Sequence, residues 1–286
     1  MSNRKTMIFS DSTSDLSPDI IATRDIRINP LTVVFGSVNH ADGIDVKPDD
    51  VYKFYKDSGT LPKTTASNIA EHEKFISDNL AERCGAVYFT ISSEMSANYN
   101  NARLAAENFD DVYVIDSRSL STGIGLLVLH AADLADKGMD AKEIRDEILT
   151  LVDKVDASFV VDTLEYLHKG GRCSSVAALG ANLLKLKPCI QVNDGKMSVL
   201  KKYRGRLNDV IKQYVEERLS DDNKPISSRI FLTHSGGCEE IAEQLKKEVL
   251  EKYPDKEVII THAGCTVCVH CGPGTLGILM IREHAI

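Results

Sequence analysis

Short apolar runs alternate along this chain with stretches in which apolar positions recur every three or four residues. The first kind of segment predicts buried strands and the second amphipathic helices. Met7–Ser10 reads as a short buried strand, and Ser17-Pro18 opens a helix, with Ser as N-cap and Pro in the first turn. Ile28–Phe35 is one extended run rich in β-branched residues. Pro48 opens the helix that contains Val51–Tyr55. Asn68 with Glu71 has the pattern of a capping box for a helix towards Leu80, which leaves Glu71-His72-Glu73 on an exposed face. Ala86–Ile91 is a strand, followed by a Ser92–Ala97 loop and a helix through Leu104. Val112–Ile115 is a strand, Gly123–Leu134 an apolar helix, and Asp140 with Glu143 opens a helix to about Val155.

The second half is less regular. Phe159–Val161 reads as a strand, Lys169-Gly170-Gly171-Arg172 as a turn, and Ser174–Leu186 as an amphipathic helix stopped by Pro188. Ile190–Val192 and Met197–Leu200 flank Asp194-Gly195, a hairpin signature. A helix over Leu207–Leu219, a strand over Ile230–Thr233, a helix over Glu239–Lys252 and strands over Val258–Thr261 and Leu276–Ile281 complete the chain. The expected fold is α/β in two domains. Residues 1–156 form a three-layer α/β/α domain on a mostly parallel sheet, and residues 157–286 an α/β domain with a mixed sheet.

Length agrees with that division, because 286 residues exceed one ordinary compact core. Lys and Arg number 34 against 42 Asp and Glu, a net charge of −8, with no basic patch of the kind a nucleic-acid binder shows. No apolar run approaches the ~20 residues of a membrane span. The polar Met1–Lys5 start is unlike a secretory signal, and seven cysteines are an odd count for a disulfide framework. A cytoplasmic protein with reduced thiols and no stable membrane insertion is expected.

Candidate chemistry lies in four loops rich in hydroxyls: Asp11–Asp15, Thr64–Ser67, Ser92–Ser96 and Asp116-Ser117. In open α/β sheets ligands bind beyond the carboxyl ends of the strands, and hydroxyls beside helix starts suit a carboxylate or phosphate. The same residues also serve as ordinary caps and turns. Dinucleotide, P-loop and nucleophile-elbow signatures are missing, so no cofactor is expected. Cys265, Cys268 and Cys271, with His262 and His270 nearby, resemble a metal or redox run. No second Cys pair completes a familiar zinc framework, and a metal is not expected. A serine hydrolase using Ser96 or Ser93 with His270 as base is a further alternative.

Taken in order, the motifs resemble the DegV family of fatty-acid-binding proteins. Asp11-Ser-Thr-Ser-Asp-Leu16 is similar to that family's opening signature. Lys63-Thr64-Thr65-Ala66-Ser67 stands where the family has Thr-Ser-Gln-Pro, and Ile91–Tyr99 resembles its Ser-Ser-x-Leu-Ser-Gly-Thr-Tyr loop. Val114–Ser117, Leu167–Arg172 with Leu184–Pro188, and His270–Gly274 follow in matching order. The resemblance implies a ligand between the two domains, with Thr64, Thr65, Ser93, Ser96 and Ala97 at the head group and His270 close by. It implies that Thr64 and Ser96 hydrogen-bond the carboxylate of a long-chain fatty acid. It further implies a partner, the ATP-dependent catalytic subunit of fatty acid kinase, assisted by Arg172 and His270. On this view the chain is no enzyme by itself but presents a lipid carboxylate for acyl-phosphate formation, in the service of phospholipid metabolism. Two departures stand out: Thr65-Ala66-Ser67 replaces Ser-Gln-Pro, and Ala97 replaces a glycine whose backbone conformation an alanine follows only at a cost.

Overall fold

Whether Ile28–Phe35 is one strand or two decides the layout of the first half, and Pro30 decides it. Proline has no N–H to continue a ladder, and the run divides there between two sheets. The computed structural model of the chain describes residues 6–173, 186–220 and 222–285. The first half supplies strands β1 (Thr6–Asp11), β2 (Ile26–Asn29), β3 (Thr32–Phe35), β4 (Val38–Ala41), β5 (Lys63–Thr65), β6 (Gly85–Thr90) and β7 (Val112–Asp116). Four of them form a wholly parallel sheet in the order β2-β1-β6-β7, while β4-β3-β5 is a small antiparallel sheet beside it. The second half supplies β8 (Val155–Val160), β9 (Leu186–Asn193), β10 (Lys196–Arg204), β11 (Arg229–His234), β12 (Glu257–His262) and β13 (Leu276–Ile281). These form a six-stranded mixed sheet, β10-β9-β8-β13-β11-β12, in which only the β11–β12 pair is parallel. That sheet begins at Val155, two residues ahead of the expected 156/157 boundary.

The helices are α1 (Pro18–Thr23), α2 (Pro48–Ser58), α3 (Ile69–Asn79), α4 (Asn98–Ala106), α5 (Thr122–Asp136), α6 (Ala141–Leu149), α7 (Glu165–Gly170), α8 (Leu207–Leu219), α9 (Glu239–Lys252) and α10 (Cys265–Cys271). The expected capping boxes exist: Asn68 with Glu71 starts α3, and Asp140 with Glu143 starts α6. The α6 helix stops at Leu149 rather than near Val155, because a short 3-10 turn and then β8 take over. Asp194 and Gly195 both have positive φ, 48° and 76°, as a two-residue hairpin turn between β9 and β10 requires. The helix expected over Ser174–Leu186 lies outside the described residues except for Leu186, which begins β9.

The strand β6 is buried along its whole length. Ala86 and Tyr88 pack towards α3 and α4, Val87 and Phe89 towards α5. The strand β13 divides in the same way, with Leu276, Ile278 and Met280 facing α8 and α9 and Leu279 and Ile281 facing α5. Layers therefore run from α3 and α4 through the parallel sheet to α5, then through the mixed sheet to α8 and α9. The α5 helix belongs to both halves, and one hydrophobic core spans them. Gly125 makes the close approach possible: a Cβ there would lie 2.9 Å from Leu16 and 3.0 Å from the Ser14 carbonyl.

One ionic cluster closes the end of the central β8–β13 pair of the mixed sheet. Asp156 is buried on β8, where Arg282 Nε donates to its Oδ2 at 2.5 Å and Arg218 of α8 also donates to it. Arg282, itself buried, donates further to the Arg218 and Asn223 carbonyls. Removing one partner from such a group leaves buried charge uncompensated. Asp156→Ala is expected to lower unfolding free energy by about 3–5 kcal/mol, measured as a shift in urea midpoint. A loss within that of an ordinary surface substitution would refute the buried-charge account.

Candidate functional site

Four segments far apart in sequence meet at one cavity: the edge strand β5, the loop that enters α4, the residue pair after α7, and α10. The cavity has a volume of about 340 Å³. Thr64, Thr65, Ser96, Ala97, Arg172 and His270 all line it, together with Thr266. Leu31, Met95, Leu120, Met197 and Val267 supply much of the apolar wall. Ser93 is not part of the lining, because its hydroxyl and its N–H both donate to Asp116, at 2.5 and 3.0 Å. Of the four hydroxyl-rich loops, only Thr64–Ser67 and Ser92–Ser96 reach the cavity.

Thr64 and His270 are the pair at its centre, with Thr64 Oγ1 3.0 Å from His270 Nε2. The Nδ1 atom of His270 is buried and has no hydrogen-bond partner among the described residues. It faces the backbone of Gly170, where an added Cβ would approach to 2.3 Å. A buried N–H without an acceptor costs more than a bare lone pair, so the favoured tautomer carries its proton on Nε2 and donates it to Thr64 Oγ1. The Thr64 hydroxyl proton is then free to be donated elsewhere. Burial, and after it the positive charge of Arg172, pushes the His270 pKa down to about 4, so the ring is neutral near pH 7. Arg172 is exposed, with its NH1 group donating to the Gly170 carbonyl at 2.7 Å, and it is the one cationic side chain among the described lining residues.

Ser96 is set by local backbone chemistry. Its N–H donates to the Ser92 carbonyl at 3.2 Å and its Oγ accepts from the Asn98 N–H at 3.2 Å. Ala97 has φ −71° and ψ −4°, an ordinary helical conformation, so no glycine is required there and the expected cost is absent. The loop is tied down by Asp11 at the end of β1, which accepts from the Ile91 N–H at 2.9 Å and from Asn98 Nδ2 at 2.8 Å.

Behind Asn98 runs a fully buried chain of polar groups. Its Oδ1 accepts from Ser67 N–H at 3.2 Å and lies 3.1 Å from His72 Nε2, while His72 Nδ1 lies 3.0 Å from Tyr88 Oη. Asn29 donates to that Tyr88 hydroxyl at 2.8 Å. The donors run in a single direction, from Asn29 through Tyr88, His72 and Asn98 to the Asp11 carboxylate. This corrects the placing of His72 on an exposed face: the ring is completely buried, and desolvation holds its pKa below the usual histidine value.

The cysteine run is one short helix, which the spacing did not predict. Three backbone N–H groups at its start are satisfied by carboxylates from the first half. Gly264 donates to Asp15 at 2.8 Å, and Cys265 and Thr266 donate to Asp42 at 2.8 and 3.1 Å. Cys265 and Val269 pack on Val33, Val46 and Val51, and Cys271 joins the central core. Among the described residues the cysteine sulfurs do not gather into a metal-holding group. Burial raises all three thiols, Cys271 to about 12, so they are packing residues rather than reactive thiolates. Thr266 went unnoticed inside that run. Thr266 lines the cavity, and its buried Oγ1 has no hydrogen-bond partner among the described residues. Among the described residues a hydrolase arrangement is also missing. The hydroxyl on His270 is that of Thr64, not of Ser96 or Ser93, and no carboxylate orients Nδ1.

The depressed pKa of His270 has a measurable consequence. Its stabilisation is fully present above the ordinary histidine value of about 6.5 and is lost as pH falls towards about 4, because only the unfolded chain takes up a proton there. The urea-midpoint advantage of wild type over His270→Gln should therefore shrink between about pH 7.5 and about pH 4.5. An unchanged advantage would mean the ring titrates normally.

A family model described as an uncharacterised-protein family, DegV, matches residues 5–283. A DegV domain-containing protein of Clostridium perfringens is 33% identical, over 98% of this chain and 99% of its own length. Among solved structures, a DegV family protein from Thermus thermophilus described by its fatty acid binding superposes with a TM-score of 0.86. It is 26% identical and covers 97% of this chain and 99% of its own. DegV of Bacillus subtilis, described as a fatty acid binding protein, gives 0.83 at 27% identity, covering 98% and 100%. A stearic acid-binding protein of Eubacterium ventriosum gives 0.81 at 27% identity, covering 98% of both chains.

Proposed function

The chain belongs to the DegV family, and from that premise we propose that it holds one long-chain fatty acid in the cavity and presents its carboxylate to a separate ATP-dependent kinase subunit. The observation that carries the reading is the make-up of the cavity. Thr64 and Ser96 hydroxyls stand in one lining with six Leu, Ile, Met and Val side chains and two alanines, and Thr65, Thr266, Arg172, His270 and Cys271 complete it. Fatty acid binding by the Thermus, Bacillus and Eubacterium relatives supports the same ligand class.

In this reading the carboxylate accepts from Thr64 and Ser96, and His270 keeps Thr64 acting as a donor towards it. Each such bond to a charged acceptor contributes about 1.5–3 kcal/mol. A tail of over a dozen methylenes at about 0.8 kcal/mol each contributes on the order of 10 kcal/mol before the entropic cost of binding. The tail therefore sets affinity, and the hydroxyls set orientation. A neutral imidazole suits this task. It orients Thr64 without placing a cation against the carboxylate, which stays nucleophilic. A carboxylate oxygen would attack the terminal phosphorus of ATP, giving acyl phosphate and ADP, with Arg172 at the rim positioned by charge for the phosphoryl oxygens. The division into residues 1–156 and 157–286, with the ligand between, belongs to this proposal. So do a cytoplasmic location and a role in phospholipid metabolism. Among the described residues, no helix is long and apolar enough to cross a membrane.

Protein purified without added lipid should show, by native mass spectrometry, a stoichiometric adduct of fatty-acid mass that solvent extraction releases. Thr64→Ala and Ser96→Ala should each keep much of that lipid but lower phosphoryl transfer by a partner kinase roughly 10- to 100-fold. A lipid-free mass and extract would defeat the binding assignment. Wild-type transfer in both variants would defeat the head-group assignment alone.

A further inference from the structure

We propose that His234, Glu239 and His262 form a site for a divalent transition metal of the zinc class, separate from the fatty-acid cavity. The strands β11 and β12 run parallel in register, and their last residues, His234 and His262, are direct partners. Both imidazoles therefore leave the carboxyl end of the sheet side by side, with ring centroids 5.1 Å apart. The turn after β11 contains Gly236 and Gly237, both at positive φ, and returns the chain at once to the first residue of α9, Glu239. One ligand atom from each of the three side chains lies within 4.8 Å of the other two. Among the described residues this is the one such group.

The atoms face the right way. His262 Nδ1 is 2.8 Å from the Ala263 carbonyl, so it carries the proton and leaves the Nε2 lone pair bare. Metal-bound histidines almost always donate their other ring N–H in this way, to a carboxylate, a backbone carbonyl or water. The bare Nε2 faces Gly236, where an added Cβ would lie at 3.5 Å. His234 Nδ1 faces the same turn, 3.9 Å from Glu239 Oε1 and accepting a long 3.2 Å bond from the Gly236 N–H. That separation is too long for a direct hydrogen bond between His234 and Glu239, and it leaves room for an ion between them. A metal would displace the Gly236 N–H, which sits in a partly exposed glycine turn able to adjust. Two imidazoles and one carboxylate select zinc and its neighbours over magnesium or calcium, which prefer all-oxygen shells. Three protein ligands leave a fourth position for water. None of the three residues lines the cavity that holds Thr64 and His270, so failure here leaves the lipid reading intact.

The test uses the full chain, stripped with chelator, desalted and titrated with zinc chloride by calorimetry near neutral pH. Cobalt chloride serves as a spectroscopic probe, because this chain also carries seven thiols. One equivalent of zinc should bind, and the cobalt form should show ligand-field bands without a thiolate-to-cobalt charge-transfer band. His262→Gln and Glu239→Gln, both at exposed positions and checked for folding by circular dichroism, should each weaken zinc by about 10-fold or more. Changes one shell further out already cost about 10–100-fold in established sites. No zinc uptake, a thiolate band at one equivalent, or wild-type affinity in both variants would each overturn the site.

Discussion

The molecule is organised around a helix that is buried on nearly every side over its first three turns. From Thr122 to Leu134 nearly every residue of α5 is buried, because one face packs on the parallel sheet and the other on the mixed sheet. A helix that is apolar all round must be enclosed to be stable, and here the enclosure needs both halves of the chain at once. Its start is held under backbone strain. Ser121 has φ 53° and ψ −144°, which a residue with a side chain rarely adopts. Its hydroxyl donates to Asp15 at 2.5 Å, and the other oxygen of Asp15 accepts from the start of α10. Leu120, one residue earlier, is thereby fixed in the cavity wall.

Buried carboxylates do much of the positioning. Asp11, Asp15 and Asp42 lie near the ends of strands or in loops of the first half, and each accepts backbone N–H groups from a distant segment. Burial disfavours charge on two of them, raising Asp11 and lifting Asp15 to about 8, and their hydrogen bonds offset part of that cost. The outcome is that the acidic and hydroxyl-rich segment Asp11–Asp15 builds the site without lining it. It joins β1 to β6 and α5 to α10, and so sets the spacing across which Thr64, Ser96 and His270 converge.

The two regions of interest use histidine in opposite ways. His270 is enclosed, neutral and directed at a hydroxyl, which suits a site whose ligand carries its own charge. His234 and His262 stand at the end of a parallel strand pair beside a carboxylate, with one ring nitrogen already tied to backbone. The difference comes from what surrounds each ring and not from the residue type.

Much of the architecture was legible in the chain alone. Capping boxes, Pro at helix starts, the Asp194-Gly195 turn and the continuous apolar run of α5 are local signals, decided by backbone geometry and by side chains three or four residues away. Six residues of the cavity were also legible, through motif resemblance rather than periodicity. Some of the rest was not legible because the deciding partner is remote in sequence. His72 seemed exposed between two glutamates until Asn98 and Tyr88 enclosed it. The spacing of Cys265–Cys271 did not disclose a helix, whose start Asp15 and Asp42 cap from the first half. Thr266 was hidden inside that run, and only the pairing of β11 with β12 brings His262 near Glu239, the first residue of α9. Local sequence determined most of the helices and strands, but not the helix Cys265–Cys271 or the strand Lys63–Thr65. Only the tertiary structure decided which polar groups share a cavity, a proton or a lone pair, because those energies depend on burial and on atoms more than 150 residues away along the chain, such as the Thr64–His270 pair with its separation of 206.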